Sequence, residues 1–307
     1  MTQTPIDFDS PWKLMLESYF REFVSFFFPQ VHDQIDWERQ YESLDKELQQ
    51  VVRDAELGKR LVDKLVKVWL RSGEEIWVLV HIEIQSQPET GFAERIYVYN
   101  YRIYDRYRQR VASLALLADE RSNWRPNQFG YELFGCQVQF QFPIVKLLDY
   151  WEQWQTLEES RNPFAIVVMA HLKTQETRDN GVERKAWKFN LIKRLYEKGY
   201  QKQDVLNLFN FIDWLMNLPD ALNREFWQEL TQYEEEKRMP YVTSVERMAL
   251  QEGQRLVIEN MLEVRFGTLD EQLAAIIPAL LEMSPKEYTP LLINLSREEL
   301  LSRFQTA

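Results

Sequence analysis

Two apolar stretches separated by a short polar turn form the clearest pattern along the chain. Residues 61–70 and 76–86 are rich in Val, Ile, Leu and Trp, and the polar segment between them contains Gly73. Such runs on either side of a glycine-containing turn are typical of a β-hairpin. Alternate residues of a strand share a face, so Glu83 and Gln85 are predicted on one side of the second strand.

The sequence around this hairpin predicts a mixture of helices and further strands. Helical periodicity is present over residues 8–28, 43–53 and 91–110. Short continuous apolar runs predict strands over residues 111–118, 138–142 and 164–170. Together these elements indicate an α/β domain with a four- to five-stranded mixed sheet flanked by helices.

The pattern changes near residue 183, after which the strand signals fade. Helical periodicity continues over residues 185–198, 203–216, 221–238 and 246–266. The remainder predicts two or three short helices broken by Pro278, Pro285 and Pro290. We therefore expect a core domain over 1–180, a helical extension over 181–245 and a small helical domain over 246–307.

Composition narrows the function classes. Lys and Arg number 37 against 48 Asp and Glu, which gives a net charge of −11 and argues against extensive nucleic-acid contact, although a local basic face can exist in an acidic protein. The glycines form no phosphate-binding loop, and the single Cys136 excludes an internal disulfide and a Cys-rich zinc site. With no long apolar run and no secretory signal, we expect a cytoplasmic protein without membrane contact.

Asp63 and Glu83 are charged residues within otherwise apolar strands, where an unpaired charge is costly. A hairpin loop at 72–74 pairs Asp63 directly with Glu83 and places both carboxylates on one face. Two carboxylates so close repel each other unless a divalent cation, Mg²⁺ or alternatively Mn²⁺, lies between them. In the other interpretation, Lys64, Lys67 or an arginine neutralises the acids and the hairpin is purely structural.

The same residues resemble a known nuclease family. Asp63, a hairpin and then Glu83-x-Gln85 match the pattern of the PD-(D/E)xK superfamily, and HIEIQSQ followed by FAERIYVYNYRIYDRY resembles its recombination-promoting, transposase-like nuclease family. The resemblance covers residues 9–120 and extends more loosely to about 180. The tail segments VIENMLEVRFGTLDEQL and LSREELLSRF are similar to a small helical domain often appended to that family, which suits self-association into a homo-oligomer.

The resemblance implies a restriction-endonuclease-like fold and a metal-dependent DNA endonuclease linked to recombination or mobile elements. Asp63 and Glu83 match the metal ligands, and Gln85 stands where the superfamily has a catalytic lysine. Glutamine can orient a water but cannot supply positive charge. This difference favours a second hypothesis, a catalytically inactive nucleic-acid- or protein-binding module of the same fold. A third is a purely structural interaction protein.

Arginines on the predicted helix over 91–110 are candidates for DNA contact. Arg95, Arg102 and Arg106 lie on one helical stripe with Tyr99 between them. Arginines interleaved with an aromatic ring suit phosphate contact and base stacking. The alternative is a solvated face whose arginines pair with neighbouring acids. The family pattern places Arg95 beside the metal site.

Four further residues are candidates for the site. The superfamily also uses an acid from the first helix, for which Glu17 and Glu22 are candidates, but Glu17 can instead pair with Arg21. His81 either lines the site or packs beneath the first helix. Asp119 follows a predicted strand and either approaches the site or forms a strand-end turn.

Overall fold

The computed structural model describes residues 9–54, 62–83, 91–239, 241–281, 283 and 285–304. Only the backbone is described for residues 9–10, 52–54, 62–63, 83, 244–252 and 285–286. The chain divides into two compact units, residues 1–226 and 227–307. Within the described segments, no helix combines the length and apolar character that crossing a membrane requires.

A five-stranded mixed sheet forms the centre of the first unit. Its strands, in spatial order, are β1 Glu42–Ser43, β2 Val62–Trp69, β3 Glu75–Glu83, β4 Val111–Leu117 and β7 Ile144–Lys146. Neighbouring strands are antiparallel from β1 to β3 and parallel from β3 through β4 to β7. The parallel pair β3 and β4 requires a crossover connection, and helix α5, Phe92–Tyr107, provides it.

The other α-helices that the structure describes in the first unit precede the sheet or follow it, except α4, which connects β1 to β2. They are α1 Asp9–Ser18, α2 Phe20–Phe27, α3 Pro29–His32, α4 Asp45–Asp54, α6 Trp154–Glu159, α7 Pro163–Glu176, α8 Gly181–Glu197, α9 Lys202–Leu215 and the first part of α10 Asp220–Lys237. Helix α5 packs on one face of the sheet through Tyr99 and Ile103, which contact Leu65 and Leu79. Helix α1 contacts β2, and α7 contacts α2, α8 and α9.

A separate antiparallel hairpin consists of β5 Gln128–Leu133 and β6 Cys136–Gln141. It lies within the connection between β4 and β7 and contacts α5. The strand predicted over 138–142 therefore exists, but it belongs to this hairpin and not to the main sheet. Its exposed positions explain the difference, because a core strand of the sheet would be buried on both faces.

Among its described residues, the second unit contains the end of α10 and four further helices, α11 Val242–Phe266, α12 Glu271–Leu281, α13 Pro285–Asn294 and α14 Arg297–Phe304. Its core includes Ile258, Leu262, Ile276, Leu280 and Leu300. The predictions that Pro278 and Pro290 break helices are wrong, because both lie inside helices. Each proline removes one backbone hydrogen bond, and burial of the surrounding apolar residues offsets that loss.

The prediction of a strand over residues 164–170 is wrong as well. These residues lie within α7, whose residues from Pro163 to Lys173 are all buried. A segment buried on every side has no polar face, so its sequence lacks the period that distinguishes a helix from a strand. The helix start is nevertheless marked, because Pro163 occupies the first turn and the Asn162 side chain accepts a hydrogen bond from Phe164 N at 2.9 Å.

His171 of α7 is fully enclosed by the first unit. Its Nε2 lies 2.7 Å from the carbonyl oxygen of Ala118, which can only accept, so Nε2 carries the proton. Burial lowers the pKa of His171 from 6.5 to about 4, despite the opposing effects of the Ala118 hydrogen bond and the nearby Asp119 charge. The folded chain therefore favours the neutral ring.

We expect this ring to make the first unit sensitive to mild acid. Between pH 6.5 and about 4 the unfolded chain binds more protons at His171 than the folded chain, so the folded state loses stability as the pH falls. From pH 7 to 5, wild type should lose about 2 kcal/mol more unfolding free energy than His171→Gln. Urea unfolding followed by tryptophan fluorescence measures this difference, and equal losses in the two proteins would contradict the prediction.

Candidate nuclease site

The backbone register of the hairpin places three positions of interest on one face of the sheet. Asp63 pairs with His81, and Glu83 lies two residues further along β3. Since alternate positions share a face, positions 63, 81 and 83 lie on the same side. The side chains of Asp63 and Glu83, and the whole of Gln85, lie outside the described residues.

The prediction that Asp63 pairs directly with Glu83 is wrong by two residues. The turn is centred on Ser72 and not on Gly73, because Leu70 N donates to Glu74 O at 2.7 Å and closes the loop. Gly73 takes a φ of 88° at the end of this loop, a conformation that favours glycine. Moving the centre by one residue shifts the register by two, and an even shift preserves the shared face.

This face of the sheet is the one covered by α5. His81 is fully buried, and its ring stacks on that of Tyr99 with centroids 6.0 Å apart and planes 13° apart. His81 thus packs beneath α5, whereas one interpretation of the sequence places it beneath the first helix. The stack holds the C-terminal end of β3 against α5, next to positions 63 and 83 of the sheet.

The parallel strands end together at one edge of the sheet. Glu83 pairs with Leu117, and Leu117 pairs with Lys146, so the carboxyl ends of β3, β4 and β7 form one row. Paired residues of neighbouring strands point to the same face, so Lys146 belongs to the face under α5. In open α/β sheets, ligands bind outside the carboxyl ends of the strands. We call this row the carboxyl edge.

A buried ion pair lies at the carboxyl edge. Lys146 is 1% exposed and Asp119 2% exposed, and the Lys146 ammonium donates to the Asp119 carboxylate. The ammonium also lies 3.3 Å from the Trp124 carbonyl oxygen, and burial lowers the pKa of Lys146. Asp119 accepts from Arg121 N at 2.9 Å, which is the predicted strand-end turn.

Arg95 brings a second buried cation to this region. It lies one turn before Tyr99 on α5, is buried, and holds its guanidinium carbon 5.5 Å from the centre of the Phe92 ring. The Phe92 ring packs edge-on against the Trp124 ring. The Lys146 ammonium lies over the Trp124 ring, 5.6 Å from its centre. Arg95 and Lys146 therefore flank one aromatic pair, and the Asp119 carboxylate compensates the charge of Lys146.

The other two arginines predicted to bind DNA lie further along α5. Arg102 is partly buried, whereas Arg106 is exposed and donates from Nη2 to the Gln50 side chain of α4 at 2.9 Å. The stripe from Arg95 to Arg106 thus runs from the buried edge towards α4. Its members differ in exposure and do not form one uniformly exposed surface.

Lysines near the hairpin are engaged elsewhere. Lys64 is buried and donates to Ser43 Oγ at 2.8 Å and Asp45 Oδ2 at 2.7 Å, and Lys67 lies 2.6 Å from Glu42. Both ammonium groups are thus held at the β1 side of the hairpin. This arrangement does not support the interpretation in which they neutralise Asp63 and Glu83.

The two candidate acids of the first helices also find neighbours. Glu17 lies 3.9 Å from the Lys64 ammonium. Lys64 and Asp63 are neighbours in β2, so their side chains belong to opposite faces of the sheet. The contact with Lys64 therefore places Glu17 on the face opposite to positions 63 and 83. Glu22 is partly buried, and burial together with the Glu22 charge raises the pKa of Tyr41.

The chemistry of the donor set fits a hard divalent cation. Two carboxylate residues on one sheet face, near a strand edge, suit the oxygen ligands that Mg²⁺ prefers. No group of three or more His, Cys, Asp or Glu side chains suited to a metal ion occurs among the side chains that the structure describes. Asp63 and Glu83 are not among those side chains, so the metal site stays a prediction.

Lys146, which lies at the carboxyl edge, is not among the candidates named from the sequence. A signal was present, because Lys146 interrupts an apolar run that starts at Ile144 and continues through Leu148.

Comparison of the chain with family models, with curated proteins and with solved structures finds no match in any of the three.

Proposed function

We propose that the chain is a cytoplasmic, metal-dependent DNA endonuclease whose α/β unit is a restriction-endonuclease-like core. The observation that carries this proposal is the backbone register, which puts positions 63 and 83 on one face of the sheet, the face on which α5 with its buried Arg95 packs. The resemblance of the hairpin and the following helix to the recombination-promoting nuclease family supports the same assignment.

Each residue of the site has a distinct role in this proposal. Asp63 and Glu83 would hold Mg²⁺ or Mn²⁺ through carboxylate oxygens. When bound, the ion would polarise a phosphodiester oxygen and lower the pKa of a coordinated water. Gln85 orients the attacking water, and Arg95 binds a phosphate oxygen and stabilises its growing negative charge.

Lys146 offers a positive charge at the same edge, although Gln85 has none. Its ammonium is already held by Asp119, in a setting with almost no access to water. Because the Asp119 carboxylate compensates the Lys146 charge, the pair as a whole supplies no net positive charge to a reacting phosphate. The absence of charge at position 85 therefore remains the feature that favours the alternative, an inactive binding module.

The test is cleavage of supercoiled plasmid by the purified full-length chain. We expect nicked and then linear plasmid with Mg²⁺ or Mn²⁺, and intact plasmid with a chelator. Intact plasmid with every metal would overturn the proposal. If the chain then bound DNA in a salt-dependent manner, the inactive binding module would be the better description.

A further inference from the structure

The hairpin of β5 and β6 leaves one side of β6 without a neighbouring strand. In the part of the chain that the structure describes, β6 pairs with β5 alone. Phe142 N donates to Asn127 O at 3.0 Å, and this pair continues the register of the two strands. Bonded and non-bonded pairs alternate along antiparallel strands, so the N–H and C=O groups of Gln137, Gln139 and Gln141 point away from β5. We call these groups the open edge.

The open edge lacks the features that protect exposed strands. Natural edge strands are usually short, charged, bulged or interrupted by proline. The edges of the main sheet are of this kind, because β1 has two residues with Glu42 among them and β7 has three with Lys146 among them. Strand β6 has six residues, none of them charged or proline, and pairs with β5 without a bulge. Such an edge is a template for another strand.

The charge of the chain favours a second copy of the same strand as the occupant. With a net charge of −11, two copies repel each other over most of their surface. Residues 133–145 are the longest segment without a charged side chain, and the part of it that forms β6 is exposed or only partly buried. Two copies can therefore approach each other along β6 without bringing like charges together.

The side chains along β6 are also suited to pairing with themselves. Gln137, Gln139 and Gln141 are exposed and share one face of the strand. A glutamine amide both donates and accepts hydrogen bonds, so a row of glutamines can bond to the same row on an identical strand. At the end of the hairpin, Leu133 is 60% and Phe134 98% exposed, which adds apolar surface for a contact.

We propose that the chain forms a homodimer in which the open edges of two copies pair antiparallel about Gln139. Gln139 then lies opposite its counterpart, and Gln137 lies opposite Gln141 of the second copy, so the contact is symmetric and closes at two chains. The two hairpins become one four-stranded sheet, which is more stable than two separate hairpins. This inference goes beyond the proposed function and does not depend on it, and it differs from self-association through the helical tail.

The test is the molar mass of the full-length chain, measured by light scattering after size-exclusion chromatography at about 100 µM. We expect wild type to be a dimer. Gln139→Pro removes the outward N–H and leaves the bonds between β5 and β6 intact, so dimerisation should weaken at least about thirtyfold. Gln139→Ala is the matched control, because it shortens the same side chain, keeps the N–H and should remain dimeric.

A pair of charge variants tests whether position 139 faces itself. Gln139→Lys and Gln139→Glu each place like charges opposite each other in the dimer, so each alone should dimerise less than wild type. An equimolar mixture places Lys opposite Glu and should form more dimer than either variant alone. Both variants keep every backbone N–H, so they test the pairing even if the proline variant fails to fold, which thermal unfolding reports.

Four results would overturn the inference. They are a monomeric wild type, a folded Gln139→Pro that dimerises as wild type does, a Gln139→Ala that dissociates as fully as the proline variant, and a mixture of the charge variants with no gain in dimer. Dimerisation that survives Gln139→Pro would place the contact on another surface, such as the helical tail. Plasmid cleavage is not part of the measurement, so its failure leaves this outcome unaffected.

Discussion

Replacing Asp63 with Asn is expected to reduce plasmid cleavage about a thousandfold, since a bound metal contributes several kcal/mol of transition-state stabilisation. Asn keeps the size of the side chain and removes the charge that a divalent cation requires. Cleavage rates are measured from the loss of supercoiled plasmid with saturating Mg²⁺. Tryptophan fluorescence and thermal unfolding report whether the variant keeps its fold.

Glu75→Gln is the matched control for this prediction. Glu75 lies on the same hairpin, at the start of β3, and accepts a hydrogen bond from Trp77 Nε1 at 3.2 Å, which the amide oxygen of Gln can also accept. This variant should cleave at the wild-type rate. Comparable cleavage by Asp63→Asn and wild type, or an equal loss in Glu75→Gln, would show that Asp63 has no specific role.

Removing one partner of the buried Asp119–Lys146 pair should produce the largest loss of stability. Asp119→Ala leaves the Lys146 ammonium enclosed without its carboxylate, and such a change typically costs about 3–5 kcal/mol. Urea unfolding followed by tryptophan fluorescence measures the loss. The signal reports on the first unit, because nine of the ten tryptophans lie in residues 1–226.

The double variant Asp119→Leu with Lys146→Met separates stability from chemistry. Replacing both charges by apolar side chains is expected to recover most of the stability, because no unpaired charge remains buried. A loss below about 1 kcal/mol in Asp119→Ala would contradict the burial argument. If the double variant is stable but does not cleave, the pair contributes to the reaction, and if it cleaves normally the pair is structural.

Local sequence patterns were sufficient for much of the sheet. The hairpin of β2 and β3 and strand β4 lie where apolar runs predict them, and helix α5 lies where helical periodicity predicts it. The polar turn marks the ends of the hairpin strands, and α5 has one buried face whose period is visible in the sequence. The sequence of helix α7 instead predicts a strand, because burial on every side removes that period.

The candidate site was only partly visible for a similar reason. Asp63, Glu83 and Arg95 stand out as charges within apolar patterns, and the hairpin predicts that the first two share a face. The exact register depends on where the turn closes. Because the turn is centred on Ser72 and not on Gly73, each residue of β2 pairs with a residue of β3 two positions away from the predicted one. Positions 63 and 83 still share a face, because a register shift by an even number of residues leaves each side chain on the same face of the sheet.

The sequence by itself determined the α/β character, the central hairpin and the helical second half, because these follow from interactions between residues close together in the chain. Only the tertiary structure decided that Lys146 pairs with Asp119 at the carboxyl edge and that Tyr97 stacks on Phe129 of the hairpin. These partners are separated by 27 and 32 residues along the chain. Such contacts depend on which strands become neighbours and how the helix crosses them, and no short-range period encodes that choice.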